Sequence, residues 1–509
     1  MANETREIKI KVFRYDPTTG EAPRMEEYPV EYYEGMRMWK ALDNINEKQR
    51  ANISWRLSCR EYLCGSCTIM INGRPALACK TAVEDGMVLE PLPLFPVAKD
   101  LAINRDFAEN RFKKIQPWLK REDDISKDHV RLHQTDILMA REMSQCIGCL
   151  ACVNVCPAIK GAWDAFNGPM LQTLTAKAAF NPMDKADRIA QAVHTGTFRC
   201  TQCGACLDVC PKKIEIPEKA IGHLRVLYAD QDGNELAKNI ALTLQKYKNP
   251  FERVEPRGDW AKELDLPNSG PVAFFAGCLS SYEFPETLRT GVRLLGKVGI
   301  EPAYFGHDEI CCGEPLLRLG NDKEFVKNAM DFVELCGIRG VEEVITPCAE
   351  CFKTFEINYP RYLEGVKLPK FTHITEVLAQ KIDGLKVKTG RGNAVKATYQ
   401  DPCRLGRDCE VYDEPRCLIN HLKGIEFIEM AKNRADAVCC GAGGGVKLSD
   451  AEFAEWMGAN RVEMAKETGA SMLITACPWC DWNFKDSLRK GNGIEVKNLI
   501  DLLGEQIEG

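Results

Sequence analysis

Twenty-five of the 509 residues are cysteine, and most of them stand at spacings that could hold metal. A thiolate is a soft ligand, so several thiolates at fixed intervals point to zinc or iron–sulfur chemistry. Four stand as C-x4-C-x2-C-x11-C: Cys59, Cys64, Cys67 and Cys79. Eight form two copies of C-x2-C-x2-C-x3-C-P, namely Cys146, Cys149, Cys152 and Cys156 before Pro157, and Cys200, Cys203, Cys206 and Cys210 before Pro211. Ten more form another repeated pattern. Cys278, Cys311, Cys312, Cys348 and Cys351 give C-x32-CC-x35-C-x2-C, and Cys403, Cys439, Cys440, Cys477 and Cys480 give C-x35-CC-x36-C-x2-C. The two sets lie 125–129 residues apart, the mark of an internal duplication.

An odd cysteine total in a chain this long fits poorly with a closed set of disulfides, so a reducing compartment is expected. The N-terminus, MANETREIKIKVFRY, lacks the apolar core of a secretory signal. The longest apolar runs, such as VAFFAG, fall far short of the ~20 residues that cross a bilayer. A soluble, cytoplasmic protein without a transmembrane segment is expected. The net charge of −6 gives no case for a nucleic-acid partner.

The elements that must position these residues follow from periodicity. Residues 7–15 and 26–33 alternate apolar and polar as strands do, and MRMWKALDNINEKQ (36–49) has a helical pattern. Each copy of the ten-cysteine pattern reads strand, helix, strand, helix, strand: VAFFAG, ETLRTGVRLLGKVG, EPAYF, DKEFVKNAMDFVELC and EEVITP, then KATYQ, PRCLINHLKG, EFIEM, AEFAEWMGANRVEMAKE and SMLITA. Such alternation predicts an α/β layer with a mainly parallel sheet. Cys278, Cys348, Cys403 and Cys477 each stand just after a strand and are expected at the carboxyl edge of the sheet, where open α/β folds place ligands. The polar segment 250–271 reads as an interdomain linker, and the charged stretch Arg105–Asp128 is helical in composition. The resulting domains are 1–110, 111–250 and 251–509.

The first three spacings of the N-terminal set match the plant-type ferredoxin loop, which wraps a 2Fe-2S cluster; a zinc knot is the plainer alternative. Gly65 and Ser66 are small enough to let backbone N–H groups approach the sulfurs. The paired runs match the bacterial 4Fe-4S pattern, in which the fourth cysteine ligates the other cluster. That assigns one 4Fe-4S cluster to Cys146, Cys149, Cys152 and Cys210, and a second to Cys200, Cys203, Cys206 and Cys156.

With SCREYLCGSC and INGRPALAC ahead of the paired runs, residues 5–240 resemble the iron–sulfur subunit of succinate dehydrogenase and fumarate reductase. The resemblance implies a β-grasp 2Fe-2S domain and an all-α dicluster domain. Many of those subunits have a non-cysteine residue where Cys203 stands and hold a 3Fe-4S cluster there; the cysteine here implies 4Fe-4S. Quinone-linked members carry aromatic residues after the position of Cys156 and often a histidine after that of Cys200. Here the sequences are PAIKGAW and TQC, and the likeness weakens at the quinone site.

Adjacent cysteines such as Cys311 and Cys312 suit a polynuclear site better than one tetrahedral ion, and the glycines of CCGEP and CCGAGGG allow close approach to a cluster or to a substrate. A zinc site in one copy, or vicinal thiols without metal, is the plain alternative. The paired pattern over 270–490 is similar to the CCG domains in the B subunits of heterodisulfide reductases. That likeness implies a noncubane 4Fe-4S cluster on each set of five cysteines, the two facing each other across the disulfide of coenzyme M and coenzyme B. The fusion of both halves resembles the B subunits of methanogen thiol:fumarate reductases. Those subunits imply thiol oxidation at the C-terminal clusters, single-electron passage through two 4Fe-4S clusters and one 2Fe-2S cluster, and exit to an FAD-bearing partner that reduces fumarate. GAGGG (441–445) is no dinucleotide fingerprint, so the flavin belongs to the partner. Two alternatives are a succinate dehydrogenase subunit serving a quinone or other carrier, and an electron-transfer subunit of a 2-hydroxy-acid oxidase.

Three cysteines fall outside the sets. Cys336 shares a helical stripe with Phe325, Ala329, Phe332 and Val333 and reads as core; Cys409 and Cys417 read as bystanders. His307 and His373 could relay protons but read more simply as structural or surface residues.

Overall fold

The computed structural model describes residues 6–121, 133–231, 233–387, 394–488 and 493–507. The chain divides into two compact units, Met1–Thr197 with Ala205–Ile221, and Phe198–Gly204 with Gly222–Gly509.

The first unit begins with a five-stranded mixed sheet of β1 (Arg6–Arg14), β2 (Arg24–Tyr32), β3 (Thr68–Ile71), β4 (Arg74–Leu77) and β5 (Met87–Glu90), in the order β2-β1-β5-β3-β4. β1 pairs antiparallel with β2 and parallel with β5. Ile8, Ile10 and Val12 of β1 are buried while Lys9 and Lys11 face water, the alternation read from sequence. The helix Met38–Gln49 lays Met38, Ala41, Leu42 and Ile45 into the same core. Buried Asp100 accepts from Arg14 Nε (3.0 Å), Tyr15 N (3.1 Å) and Ser54 N (2.9 Å), tying the first strand to the loop that leads to Cys59. A short hairpin, β6 (Val97–Lys99) and β7 (Ala102–Ile103), closes this part.

The rest of the unit is helical: Asp106–Ile115, Gln134–Ser144, Ala151–Asn154, Pro169–Ala179, Arg188–His194 and Ala205–Asp208. Arg188 is its polar hub. It is buried, paired with Asp184 at 2.9 Å, and donates to the carbonyls of Ile115, Gln116 and Trp118. The charged stretch thus contains a helix, Asp106–Ile115; residues 122–128 of it lie outside the described residues.

The second unit holds two parallel four-stranded sheets of identical order. One contains β8 (Val272–Phe274), β9 (Ala303–Tyr304), β10 (Glu343–Thr346) and β11 (Lys370–His373), ordered β11-β10-β8-β9. The other contains β12 (Val395–Gln400), β13 (Ile425–Phe427), β14 (Met472–Thr475) and β15 (Glu495–Asn498), ordered β13-β12-β14-β15. Each copy therefore has a fourth strand, β11 or β15, that the three-strand reading of sequence lacked. The helices Pro285–Lys297, Asp322–Ile338, Asp413–His421 and Ala451–Lys466 cover the sheets with the apolar faces read from periodicity. Cys336 is buried on Asp322–Ile338 beside Phe325, Ala329 and Phe332. Segment 250–271 is not a free linker: Trp260 is buried and donates to the Tyr304 hydroxyl at 2.9 Å, and Arg257 pairs with buried Glu309.

Candidate metal centres

The loop before β3 gathers the N-terminal four cysteines. The Cys59 and Cys64 thiols lie within hydrogen-bonding reach of each other, as do those of Cys67 and Cys79. Backbone N–H groups converge on the same sulfurs: Glu61 and Leu63 on Cys59 (3.4 and 3.3 Å), Tyr62 on Cys79 (3.2 Å) and Cys79 on Cys67 (3.5 Å). Burial works against the Cys64 thiolate, but the Ser66 hydroxyl and neighbouring N–H groups bring its pKa down to about 6. Burial pushes Cys67 up to about 12. Two thiol pairs set in a cage of N–H donors suit a thiolate-bound dinuclear cluster. Gly65 sits at φ +68°, and a Cβ there would stand 2.7 Å from the Ile147 carbonyl oxygen and 2.9 Å from Cys149 Cα. Its smallness serves close approach of this loop to the first ferredoxin run, beyond the access to sulfur read from sequence.

The two runs fold alike. The backbone is left-handed at Gly148 and Leu150 in the first and at the equivalent Gln202 and Gly204 in the second, so each loop turns its N–H groups inward. The third residue of each run donates to the first thiol: Gly148 to Cys146, and Gln202 to Cys200 at 3.3 Å. In the first unit, Cys146, Cys149, Cys152 and Cys210 line one small cavity with Ile147, Leu150, Met170 and Ile214. These are the four cysteines that the crossed ferredoxin pattern groups together. An apolar wall and four converging thiols fit a cubane cluster. Burial raises Cys146, Cys149 and Cys152 above the ordinary thiol range. Of the other set, Cys156 and Cys206 belong to the first unit, Cys200 and Cys203 to the second.

In the second unit Cys278, Cys348, Cys403 and Cys477 follow the carboxyl ends of β8, β10, β12 and β14. Each stands at the start of a helical turn: Cys278–Glu283, Ala349–Lys353, Arg404–Asp408 and Pro478–Leu488. In the first copy Cys311 Sγ lies 3.9 Å from Cys278 Sγ, Cys311 reaches Cys312, and Cys312 reaches Cys351. In the second, Cys480 Sγ lies 3.2 Å from Cys440 Sγ, Cys440 reaches Cys439, and Cys439 reaches Cys403. The Cys348 and Cys477 thiols meet each other, so the two sets of five join side by side.

Buried polar groups brace these sulfurs, and composition did not single them out. Glu309 accepts from Ala276 N (2.8 Å) and Gly277 N (3.1 Å) at the turn into Cys278, and Arg257 pairs with it at 2.6 Å. In the second copy Arg416 grips Asp401 with two bonds of 2.7 and 2.9 Å just before Cys403. Glu314 and Glu350 face each other under Arg404 and Arg318. Burial acts to raise Glu350, but Arg404, a hydrogen bond with Glu314 and Arg318 bring it down to about 2; burial and Glu350 push Glu314 well up. The only sequence signal was position: Arg404 follows Cys403, and Glu350 lies inside C-x2-C.

Of the two histidines weighed, His307 is exposed on a single helical turn. His373 is fully buried and caps the helix after β11, its Nδ1 lying 2.7 Å from the Thr375 hydroxyl, and burial lowers its pKa to about 4. Asn498, 125 residues on, caps the equivalent helix after β15. Cys409 is half-buried and Cys417 exposed.

Comparison with known sequences agrees with this layout. Family models of a 2Fe-2S iron-sulfur cluster binding domain, a 4Fe-4S dicluster domain and a cysteine-rich (CCG) domain match residues 9–110, 142–214, and 272–356 with 397–485. The chain is 36% identical over 501 residues to the B subunit of fumarate reductase (CoM/CoB) from Methanothermobacter marburgensis, covering 97% of this chain and 98% of that one. The chain belongs to the family of CoM/CoB fumarate reductase B subunits. It is an oxidoreductase subunit carrying 2Fe-2S, 4Fe-4S dicluster and duplicated CCG domains. The chain is also 31% identical to the D subunit of dihydromethanophenazine:CoB–CoM heterodisulfide reductase from Methanosarcina barkeri, over 72% of this chain and 94% of that one. A hypothetical protein from Helicobacter pylori shares the fold, with a TM-score of 0.65 at 14% identity, covering 98% of this chain and 94% of that one. Among the described residues, no helix is long and apolar enough to cross a membrane.

Proposed function

We propose that this chain is the iron–sulfur subunit of a thiol-driven fumarate reductase, with functional segments 1–110, 111–250 and 251–509. The observation that carries the reading is the meeting of the Cys348 and Cys477 thiols, which sets two five-cysteine constellations side by side. Oxidising two thiols to one disulfide releases two electrons and two protons, and a pair of adjoining one-electron sites matches that need. The names of the two methanogen relatives, which specify CoM and CoB, support coenzyme M and coenzyme B as the thiols.

Cys59, Cys64, Cys67 and Cys79 would hold a 2Fe-2S cluster. Cys146, Cys149, Cys152 and Cys210 would hold one 4Fe-4S cluster, and Cys156, Cys200, Cys203 and Cys206 a second. Each CCG set would hold a noncubane 4Fe-4S cluster: Cys278, Cys311, Cys312, Cys348 and Cys351, and Cys403, Cys439, Cys440, Cys477 and Cys480. When bound, these groups supply one-electron storage and transfer. The chain's own residues do the rest. Glu309 and Arg257 hold the turn that aims Cys278, and Arg416 with Asp401 holds the turn before Cys403. Gly65 lets the Cys59–Cys67 loop close on the Ile147–Cys149 turn, which shortens the electron path within the first unit. The two protons released by the thiols pass to water, and the two electrons leave to an FAD-bearing partner subunit, where fumarate takes them up with two protons from water to give succinate.

Anaerobic assay of the complex with its flavoprotein tests this. Fumarate should be reduced when coenzyme M and coenzyme B are both supplied, with one heterodisulfide formed per succinate. Reduction driven by a reduced quinone and not by the thiols would sink the reading in favour of a quinone-linked subunit.

A further inference from the structure

The two CCG copies share a strand order but differ sharply after the paired cysteines. The first continues Gly313-Glu314-Pro315-Leu316-Leu317, the second Gly441-Ala442-Gly443-Gly444-Gly445. Gly441, the counterpart of Gly313, and Gly445 have local reasons. A Cβ on Gly441 would strike the Ala454 carbonyl oxygen at 2.6 Å, on the helix that follows, and one on Gly445 would press Leu319 Cδ2 at 3.2 Å. Gly444 is different. It sits at φ +65°, and a Cβ there would lie 2.6 Å from the Cys200 carbonyl oxygen and 2.6 Å from the Thr201 carbonyl carbon. The second CCG loop therefore touches the backbone of the second ferredoxin run.

Three arginines fasten the same contact. Arg225, fully buried, donates to the carbonyls of Cys200 and Gly444, both at 2.7 Å, and so clips the two loops together. Arg404 donates to the Gln202 carbonyl at 2.8 Å and to that of Thr201 at 3.3 Å. Arg407 donates to the Cys203 carbonyl and to those of Ala435 and Ala437, just ahead of Cys439. At the centre of this clamp the Cys439 thiol reaches Cys203 as well as Cys403 and Cys440. In the first copy the thiol partners of Cys311 are Cys278 and Cys312, and that of Cys312 beyond the pair is Cys351.

We propose that the second CCG copy is the electron port of the pair, and that Gly444, Arg225, Arg404 and Arg407 are positioning residues that seat the Cys200–Cys203 turn on Cys439. Electrons then move singly between the second ferredoxin run and the CCG pair through the Cys439 side, and the first copy is reached across Cys348 and Cys477. The duplicated sites are thus unequal, and CCGAGGG is the sequence mark of the proximal one. The inference rests on the iron–sulfur reading of both motifs but not on the identity of the thiols.

The test is electron paramagnetic resonance of the purified complex reduced with dithionite, which needs neither thiol nor fumarate. In the wild type, signals of the second ferredoxin site and of the second CCG site should split each other magnetically. Gly444→Ala forces the Cys200 turn back by about 0.8 Å, from 2.6 Å to the 3.4 Å of ordinary contact. The splitting should shrink or vanish at unchanged iron content. Arg407→Gln loosens the same contact without a clash and should act in the same direction, with Arg407→Lys restoring part of it; this series decides the matter if Gly444→Ala does not fold. Leu316→Ala, at the first copy's equivalent of Gly444, should leave the splitting intact. Splitting unaffected by Gly444→Ala and Arg407→Gln in iron-replete protein, or lost in Leu316→Ala instead, overturns the proposal. A complex inactive with thiols whose splitting still responds to Arg407 would refute the thiol assignment alone and leave the port standing.

Discussion

Replacing Glu309 by alanine gives the sharpest test of how the first CCG site is held. Glu309 is fully buried, takes the N–H groups of Ala276 and Gly277 at 2.8 and 3.1 Å, and neutralises buried Arg257 at 2.6 Å. Its removal leaves one unpaired guanidinium and two unsatisfied donors in the core. Breaking one side of a buried pair costs about 3–5 kcal/mol, so we take about 4 kcal/mol. A denaturant slope of about 3 kcal/mol/M in urea, the upper end for small domains, turns that into a midpoint shift of about 1.3 M. Pulse proteolysis across a urea series on the whole complex reads this shift without demanding reversible unfolding. Arg257→Ala should cost a similar amount, and the double variant should regain about 2 kcal/mol or more over the sum of the singles, since neither charge is then stranded. A shift under about 0.2 M for Glu309→Ala, the size of an ordinary surface substitution of about 0.5 kcal/mol, would refute the brace.

Further outcomes follow from other places in the molecule. Gly65→Ala places a methyl 2.7 Å from the Ile147 carbonyl oxygen at a left-handed φ, and should lower the melting temperature by about 4 °C or more, for a loss of 1–2 kcal/mol, as calorimetry would record. In the iron-loaded protein Cys417, exposed, should alkylate quickly at pH 8, while Cys336, whose thiol burial holds at about 12, should not; peptide mapping of the label decides it. Extracting iron anaerobically should raise hydrogen exchange across residues 146–156, because the four thiols lining their cavity lose the group that gathers them. Unchanged protection there would contradict a cluster at that cavity.

The cysteine sets were legible because ligand spacing is a local property, and the repeat because its offset stays within 125–129 residues. Strand β1 and the four covering helices were legible from periodicity, since one face of each meets the core. What was missed depended on partners distant in sequence. β11 and β15 are short and carry Lys370 and Glu495, so nothing in KFTH or EVKN signals a strand until β10 and β14 pair with them. Segment 250–271 looked like a linker because its prolines, glycines and charges hide Arg257 and Trp260, whose burial depends on Glu309 and Tyr304. Arg404 looks like any surface arginine until Glu350, 54 residues away, and the Thr201 and Gln202 carbonyls surround it. The glycines of CCGAGGG read equally as room for a cluster or for a substrate. Gly444 meets instead the backbone of Cys200 and Thr201, a contact between motifs more than two hundred residues apart.

The central claim, that thiol oxidation at the CCG pair feeds the other clusters, is tested most directly by mixing the oxidised complex with coenzyme M and coenzyme B in the absence of fumarate and freezing it at successive times. The account predicts that both thiols together produce the reduced 2Fe-2S signal, that neither alone does, and that adding fumarate then bleaches it. Full reduction by a reduced quinone, with no signal from the paired thiols, would contradict it.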